Sequence, residues 1–310
     1  GRVLHVFAVL AAALLFGTTG TARALGPDEA SALSVGVARS VVGGTALAVL
    51  AFGLAAAHRR RVPDRPRPKP TWRPLALMAV TGVALSLYQP LFFVGTQTNG
   101  VAVSTVIALG SAPVLAGILE WILSRRVPSM LWMGATALAA IGVVLLGLGG
   151  GGGSGGVDAL GLAAAVGAGA CFAVIANAQR RLLDAGWDAF TVVGAMGVGS
   201  ALMCAAVIPF VDLSWTLTPP GIAMALWLGL ATIGVAYSLF TWGLQGLTAA
   251  TAATLTLAEP LTATVLGVTA LGETLSPLAV VGLAVLAAGL VTLAWGSRRP
   301  RDPRPFAVEA

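Results

Sequence analysis

Apolar positions in this chain neither alternate with polar ones nor follow one helix face. They fill long, nearly uninterrupted blocks. Ten such blocks occupy roughly 3–20, 31–57, 72–96, 100–123, 130–149, 157–179, 188–211, 220–246, 248–271 and 276–296. Each is long enough, at about 1.5 Å per residue, to cross roughly 30 Å of hydrocarbon as a helix. Polar residues and prolines gather between the blocks, where a spanning chain returns to water. A chain in lipid must satisfy its own backbone, which an apolar helix does. The pattern therefore predicts an all-α membrane protein of ten transmembrane helices.

The blocks repeat. Residues 104–144 lie over residues 251–291 at a constant offset, with Pro113 on Pro260, Ser129 on Ser276 and Gly142 on Gly289. Just upstream, Phe92, Gly95 and Gln97 have the spacing of Phe240, Gly243 and Gln245. The matching loops differ in charge, Arg125-Arg126 in the first copy and Gly272-Glu273 in the second. Lys and Arg mark the cytoplasmic side of a membrane protein, so the two copies are expected to be inverted, five helices each. Inverted repeats are a signature of secondary transporters.

Composition agrees with a membrane class: 57% of the 310 residues are hydrophobic and 10% charged, and the mean hydropathy is +0.91. The net charge of +6 would suggest nucleic acid in a soluble protein. Here the bases flank apolar spans, which speaks for orientation and against a polyanion partner. Placing both termini in the cytoplasm of a plasma (inner) membrane protein puts every Lys and Arg inside except Arg23, in an outer loop, and Arg39, within a span. Cys171 and Cys204 lie in spans and give neither a disulfide framework nor metal spacing; His5 and His58 are too few and too distant for a metal. Trp72, Trp121, Trp132, Trp187, Trp215, Trp242 and Trp295 fall near span ends and read as interfacial anchors, with Trp227 left open.

The organisation expected is a first repeat over 1–149, a Gly-rich linker over 150–156, a second repeat over 157–296 and a polar, disordered cytoplasmic tail over 297–310. Arg2, an apolar run and Ala22-Arg23-Ala24 also resemble a secretory signal, but removing that segment would unbalance the five-plus-five repeat. Pro63, Pro66, Pro68, Pro70 and Pro74 keep the loop between spans two and three from being helical. Small residues such as Gly161, Gly167, Gly194, Gly197, Gly282 and Gly289 read as devices for close helix packing. Helices five and ten could also meet a second copy as a homodimer.

Little supports catalysis. Gly152, Ser154 and Gly156 match a nucleophile pattern inside a glycine run, but no histidine is within reach of it on this topology. No phosphate-binding loop motif is present, and the only lysine, Lys69, lies in the Pro-rich loop. No cofactor is expected. What remains is intramembrane charge: Glu259 mid-span in helix nine and Arg39 in helix two, each costly if it faced lipid. Glu259 reads either as a proton or cation site or as a structural acid paired with Arg39 or with backbone freed by Pro260. Glu120, near Trp121 and Arg125 at a helix end, reads as snorkelling with local pairing. Pro113 and Pro260 are expected helix breaks. Tyr88 and Phe92 share one face, as do Tyr237 and Thr241. With Ser111 and Asn177 they are expected to line an apolar cavity with a few polar anchors.

Ten spans in two inverted halves, Phe16-Gly17-Thr18 ending span one, Arg39, Pro113, the stretch Leu255 to Pro260 and the closing Gly272-Glu273-Thr274-Leu275-Ser276 together resemble the EamA-type members of the drug/metabolite transporter superfamily. The first-repeat counterpart of that closing motif reads Ser124-Arg125-Arg126 here, so no role carries over to it. The resemblance implies a central cavity lined by spans one, three, four, six, eight and nine, and alternating access. It also implies substrates such as amino acids, other metabolites or drugs, usually exported and often proton-coupled. The expectation is thus a secondary transporter exporting amino acids or similar small metabolites, Glu259 being the coupling candidate. Efflux of hydrophobic or cationic drugs is the alternative, and a membrane enzyme or non-transporting sensor the alternative of another class.

Overall fold

A computed structural model describes residues 2–63, 68–99, 101–149, 158–272 and 274–297. The expected linker at 150–156, the tail beyond Ser297, Pro66, Glu273 and the side chain of Gln97 lie outside the described residues. Ten helices long and apolar enough to cross a membrane form the bundle. They are α1 (Arg2–Ala24), α2 (Ala32–Arg61), α3 (Trp72–Asn99), α4 (Val101–Ser124), α5 (Met130–Gly149), α6 (Ala159–Asp184), α7 (Ala189–Phe210), α8 (Pro219–Leu244), α9 (Ala249–Ala270) and α10 (Pro277–Ser297). No strand occurs among the described residues.

Helix starts follow from local chemistry. Ser31, Asp158, Asp188, Thr218 and Thr248 each precede a helix and accept a bond from a first-turn N–H, as Asp188 does from Thr191 at 2.7 Å. Such caps satisfy donors that a helix leaves open at its start. The repeat shows here too. Ser129 Oγ accepts from the Trp132 N–H at 3.1 Å and Ser276 Oγ from the Ala279 N–H at 3.2 Å, so the matched serines start α5 and α10 in the same way.

Packing obeys the same internal symmetry. Helix α5 lies along α10 and α2 along α7, each against its repeat mate; the α1–α8 contact has its counterpart in α6–α3, and α1–α9 in α6–α4. This is the arrangement of two inverted five-helix repeats. Lipid tails offer no hydrophobic drive between helices, so close backbone approach must hold them. At the α5–α10 crossing a Cβ on Gly142 would stand 2.4 Å from the Leu286 backbone nitrogen. Outward faces are apolar, with Phe7, Ile122, Leu202 and Val291 all exposed as lipid-facing side chains would be. Helix α1 belongs to the bundle: Val9, Ala12 and Ala13 are fully buried.

At one end of the bundle, polar groups clamp the turn between α8 and α9. The buried Arg180 donates to the carbonyls of Leu244, Gln245 (3.0 Å) and Leu247 (3.1 Å), and its guanidinium pairs with Asp184 at 2.6 Å. Arg2 Nε donates to the Gly246 carbonyl at 3.2 Å. The Glu120 side chain lies at the backbone N–H groups of Ala249 and Ala250, the opening of α9. Glu120 thus caps a neighbouring helix where local pairing near Arg125 was expected, because the α9 N-terminus presents bare N–H donors to it.

Two tryptophans expected at the interface are instead internal. Trp132 donates from Nε1 to the Ala250 carbonyl and to Thr254 Oγ1, both at 2.9 Å, and Trp215 donates to Ser34 Oγ at 3.1 Å. An indole near a span end can turn inward as readily as outward when the bundle offers an acceptor. Trp72, Trp121 and Trp295 remain exposed.

Candidate functional site

The middle of the bundle departs from regular helix at three places, and these surround one cavity. Helix α1 is interrupted at Thr18, whose Oγ1 donates back to the Leu15 carbonyl at 2.6 Å. Helix α8 widens into a π-helix over Trp227–Val235; such widened turns are frequent at functional sites. Helix α9 breaks between Leu255 and Ala258, and Glu259 stands in the first turn of its second half. Pro260, which cannot donate a backbone bond, falls in that same turn, where the donor is least needed. By contrast, α4 runs through Pro113 without interruption. The expected pair of breaks is therefore a single break, in α9. Pro90, inside α3, is a further proline in a continuous helix.

The cavity holds about 60 Å³ and is lined from seven helices, α1 to α4, α6, α8 and α9. Span two thus joins the six expected. Gly17 makes the α1–α9 wall possible: a Cβ there would lie 2.6 Å from Thr262 Cβ and 2.9 Å from the Glu259 carbonyl oxygen. The preceding Phe16 then reaches the cavity and meets Tyr237 edge-on, ring centroids 5.0 Å apart. Phe172 and Tyr88 add aromatic wall, and Ala108 and Ala112 leave space.

Arg39 and Glu259 are the two ionisable groups of opposite charge on this wall. Arg39 Nε donates to Thr232 Oγ1 at 3.0 Å, within the π stretch, and its Nη2 to Thr19 Oγ1 at 3.4 Å, just past the α1 interruption. Thr232 in turn donates to the Leu228 carbonyl, which orients its lone pairs toward Arg39. The two acceptors recorded for Arg39 are thus neutral hydroxyls. Among the described residues the ion pair within 4 Å is Arg180–Asp184, so Arg39 and Glu259 share a cavity without forming a direct salt bridge. A direct ion pair with Arg39, one of the alternatives for Glu259, is not formed in this arrangement. No cluster of His, Cys, Asp or Glu suited to a metal occurs among the described residues.

The other expected site residues separate. Tyr88 and Tyr237 line the cavity; Phe92 stacks on the Tyr88 ring, centroids 6.0 Å apart and 6° from parallel, without lining the cavity itself. Asn177 Nδ2 donates to the carbonyls of Ala116 (3.1 Å) and Ala173 (2.9 Å), bridging α6 to α4. Ser111 Oγ donates to the Ala108 carbonyl at 3.2 Å and lies against Gly169 of α6. Thr241 donates to Gln179 Oε1 at 2.8 Å, and both are fully buried. Asn177 and Thr241 thus bond between helices and Ser111 within its own, because a polar group in lipid must find a partner. Gln89, Ser40 and Thr256 line the cavity without having been singled out. Thr256 carried a usable signal, since it falls between Leu255 and Pro260 in the stretch that breaks.

A ten-helix bundle of inverted repeats, with a mainly apolar cavity that holds an Arg and a Glu where helices are interrupted, defines a multi-pass membrane transporter. The EamA-like transporter family model matches the chain twice, over residues 3–148 and 159–295. The uncharacterized transporter YwfM of Bacillus subtilis (strain 168) is 37% identical over 301 residues, 97% of either chain. The threonine/homoserine exporter RhtA of Escherichia coli (strain K12) is 30% identical over 222 residues, 67% of this chain and 68% of its own. RhtA of Salmonella typhimurium (strain SL1344) is 32% identical over 233 residues, 71% and 72%. A solved crystal structure superposes with a TM-score of 0.75 over 96% of this chain and all of its own, at 19% identity, a likeness of fold. The chain belongs to the EamA-like transporter family.

Proposed function

We propose that the protein exports amino acids or similarly small metabolites across the plasma (inner) membrane by alternating access, coupled to protons through Glu259. Its termini face the cytoplasm in this reading, which the basic loops support. The observation that carries it is the placement of Glu259: in the first turn of the resumed half of α9, on the cavity wall, without an ion pair. A carboxylate so placed can take and release a proton as the two repeats rock about the broken α9. The cavity, at about 60 Å³, is far below the roughly 300–1,000 Å³ of sites for drug-sized ligands, so a drug-sized substrate demands more opening of the bundle than an amino acid does. The export of threonine and homoserine that names RhtA agrees with that scale. Efflux of hydrophobic cations is the weaker reading, because Arg39 stands on the same wall.

The test is substrate-triggered proton movement in proteoliposomes, screening amino acids and organic cations on the native protein and on Glu259→Gln. Proton movement with one class, lost in a variant that still binds that class, is the expected result. Proton movement that survives in folded Glu259→Gln would remove Glu259 from the coupling role.

A further inference from the structure

The cavity holds one guanidinium and one carboxyl group with no direct salt bridge between them, and this constrains what can fill it. A substrate that is only a cation would suit Glu259 and leave a second positive charge beside Arg39. One that is only an anion would meet the reverse problem. We propose that Arg39 and Glu259 form a two-point receptor for a zwitterion: the Arg39 guanidinium takes the α-carboxylate and the Glu259 carboxylate takes the α-ammonium of an amino acid. This rests on the amino-acid reading above and goes beyond it by assigning a substrate-binding role to Arg39.

Geometry supports the assignment. Arg39 is held from behind by the hydroxyls of Thr232 and Thr19, on two different helices. These bonds use Nε and one Nη2 donor out of five guanidinium donors. A planar fork fixed in this way is suited to a carboxylate, and better suited than a flexible ammonium would be. Both threonines sit where their helix is irregular, Thr19 past the α1 interruption and Thr232 in the π stretch. The irregularities thereby gain a common purpose, which is to aim one guanidinium. Glu259, which lines the same cavity, opens the second half of α9, positioned by the break after Leu255. Much of the rest of the wall, with Phe16, Tyr88, Phe172, Tyr237, Leu85 and Leu109, is aromatic or aliphatic and lowers the local dielectric, which strengthens both charge contacts.

The experiment is counterflow of radiolabelled L-threonine in proteoliposomes of the native protein, with three competitors: unlabelled L-threonine, L-threoninamide, which lacks the carboxylate, and N-acetyl-L-threonine, which lacks the ammonium. The expected result is that each single-charge analogue competes at least about tenfold more weakly than L-threonine, a loss of about 1.4 kcal/mol per missing contact. In Arg39→Gln the preference for L-threonine over its amide should vanish, while the preference over the N-acetyl form remains; Glu259→Gln should show the mirror image. Competition by the amide equal to that of L-threonine, on native protein, overturns the role of Arg39 while leaving amino-acid export standing. Equal competition by the N-acetyl form does the same for Glu259. If neither L-threonine nor any other labelled amino acid enters by counterflow into liposomes of folded native protein, the amino-acid reading falls and the two-point receptor with it.

Discussion

Replacing Arg180 by Met should destabilise the protein by about 3–5 kcal/mol, the cost of removing one partner from a buried charge pair. The number follows from what the guanidinium holds. It donates to three carbonyls of the α8–α9 turn and to both carboxylate oxygens of Asp184, at 2.6 and 3.3 Å. The side chains of Arg180 and Asp184 are 9% and 5% exposed, so water replaces few of these bonds. Each hydrogen bond to a charged group contributes about 1.5–3 kcal/mol, and a simple sum would exceed the estimate. Freed arginine rotamers return part of it, and a turn near the bundle end can relax toward water. The assay is equilibrium unfolding in mixed micelles of rising SDS fraction, followed by tryptophan fluorescence. The double variant Arg180→Met, Asp184→Leu should recover part of the loss, because it also removes the buried carboxylate that has lost its arginine. A loss below about 1 kcal/mol for Arg180→Met, the range of exposed ion pairs, would refute the clamp.

Three further outcomes follow from the packing. Trp132→Phe keeps an aromatic ring but removes the donor to the Ala250 carbonyl and Thr254 Oγ1 and leaves part of the buried indole's space unfilled; a loss of at least about 1–3 kcal/mol in the same unfolding assay is expected. Gly142→Ala places a methyl against the α10 backbone at Leu286, so the helices must part; overpacking of about 1–3 kcal/mol should appear as a lowered midpoint, whereas Ala at the open position Gly134 should leave it within about 0.5 kcal/mol. Thr241→Val strips the donor from buried Gln179 and should cost about 1–3 kcal/mol in stability with unchanged L-threonine counterflow affinity; a selective loss of affinity would return Thr241 to the cavity.

Much of this was legible in one dimension. Ten blocks of apolar residues could do nothing in lipid but form helices, because backbone N–H and C=O groups find no water there. The repeat was legible because matched positions carry matched tasks: Ser129 and Ser276 each start a helix, and Gly142 and Gly289 each press against a neighbouring backbone. Arg39 and Glu259 stood out because ionised groups at such depth are expensive and must face inward.

The neighbours were decided by the tertiary structure. Helical period places Tyr237 and Thr241 on one face, yet Tyr237 lines the cavity while Thr241 meets Gln179 of another helix. A span's own sequence says which residues are polar, but the partner that satisfies each one is supplied by whichever helix packs there. Pro113 and Pro260 occupy matched positions and behave differently: α4 is continuous through Pro113, whereas α9 breaks after Leu255 and Pro260 stands in the first turn of its second half. Glu120 and Arg180 read as ordinary charges at helix ends until folding brought the α9 N-terminus to one and the carbonyls of the α8–α9 turn to the other. The sequence alone determined that this chain crosses a membrane ten times in two related halves, because transfer into lipid depends on the composition of each segment. Which polar groups share a cavity depends on contacts between residues nearly two hundred or more positions apart, such as Arg39 with Thr232, and only the packed bundle sets those.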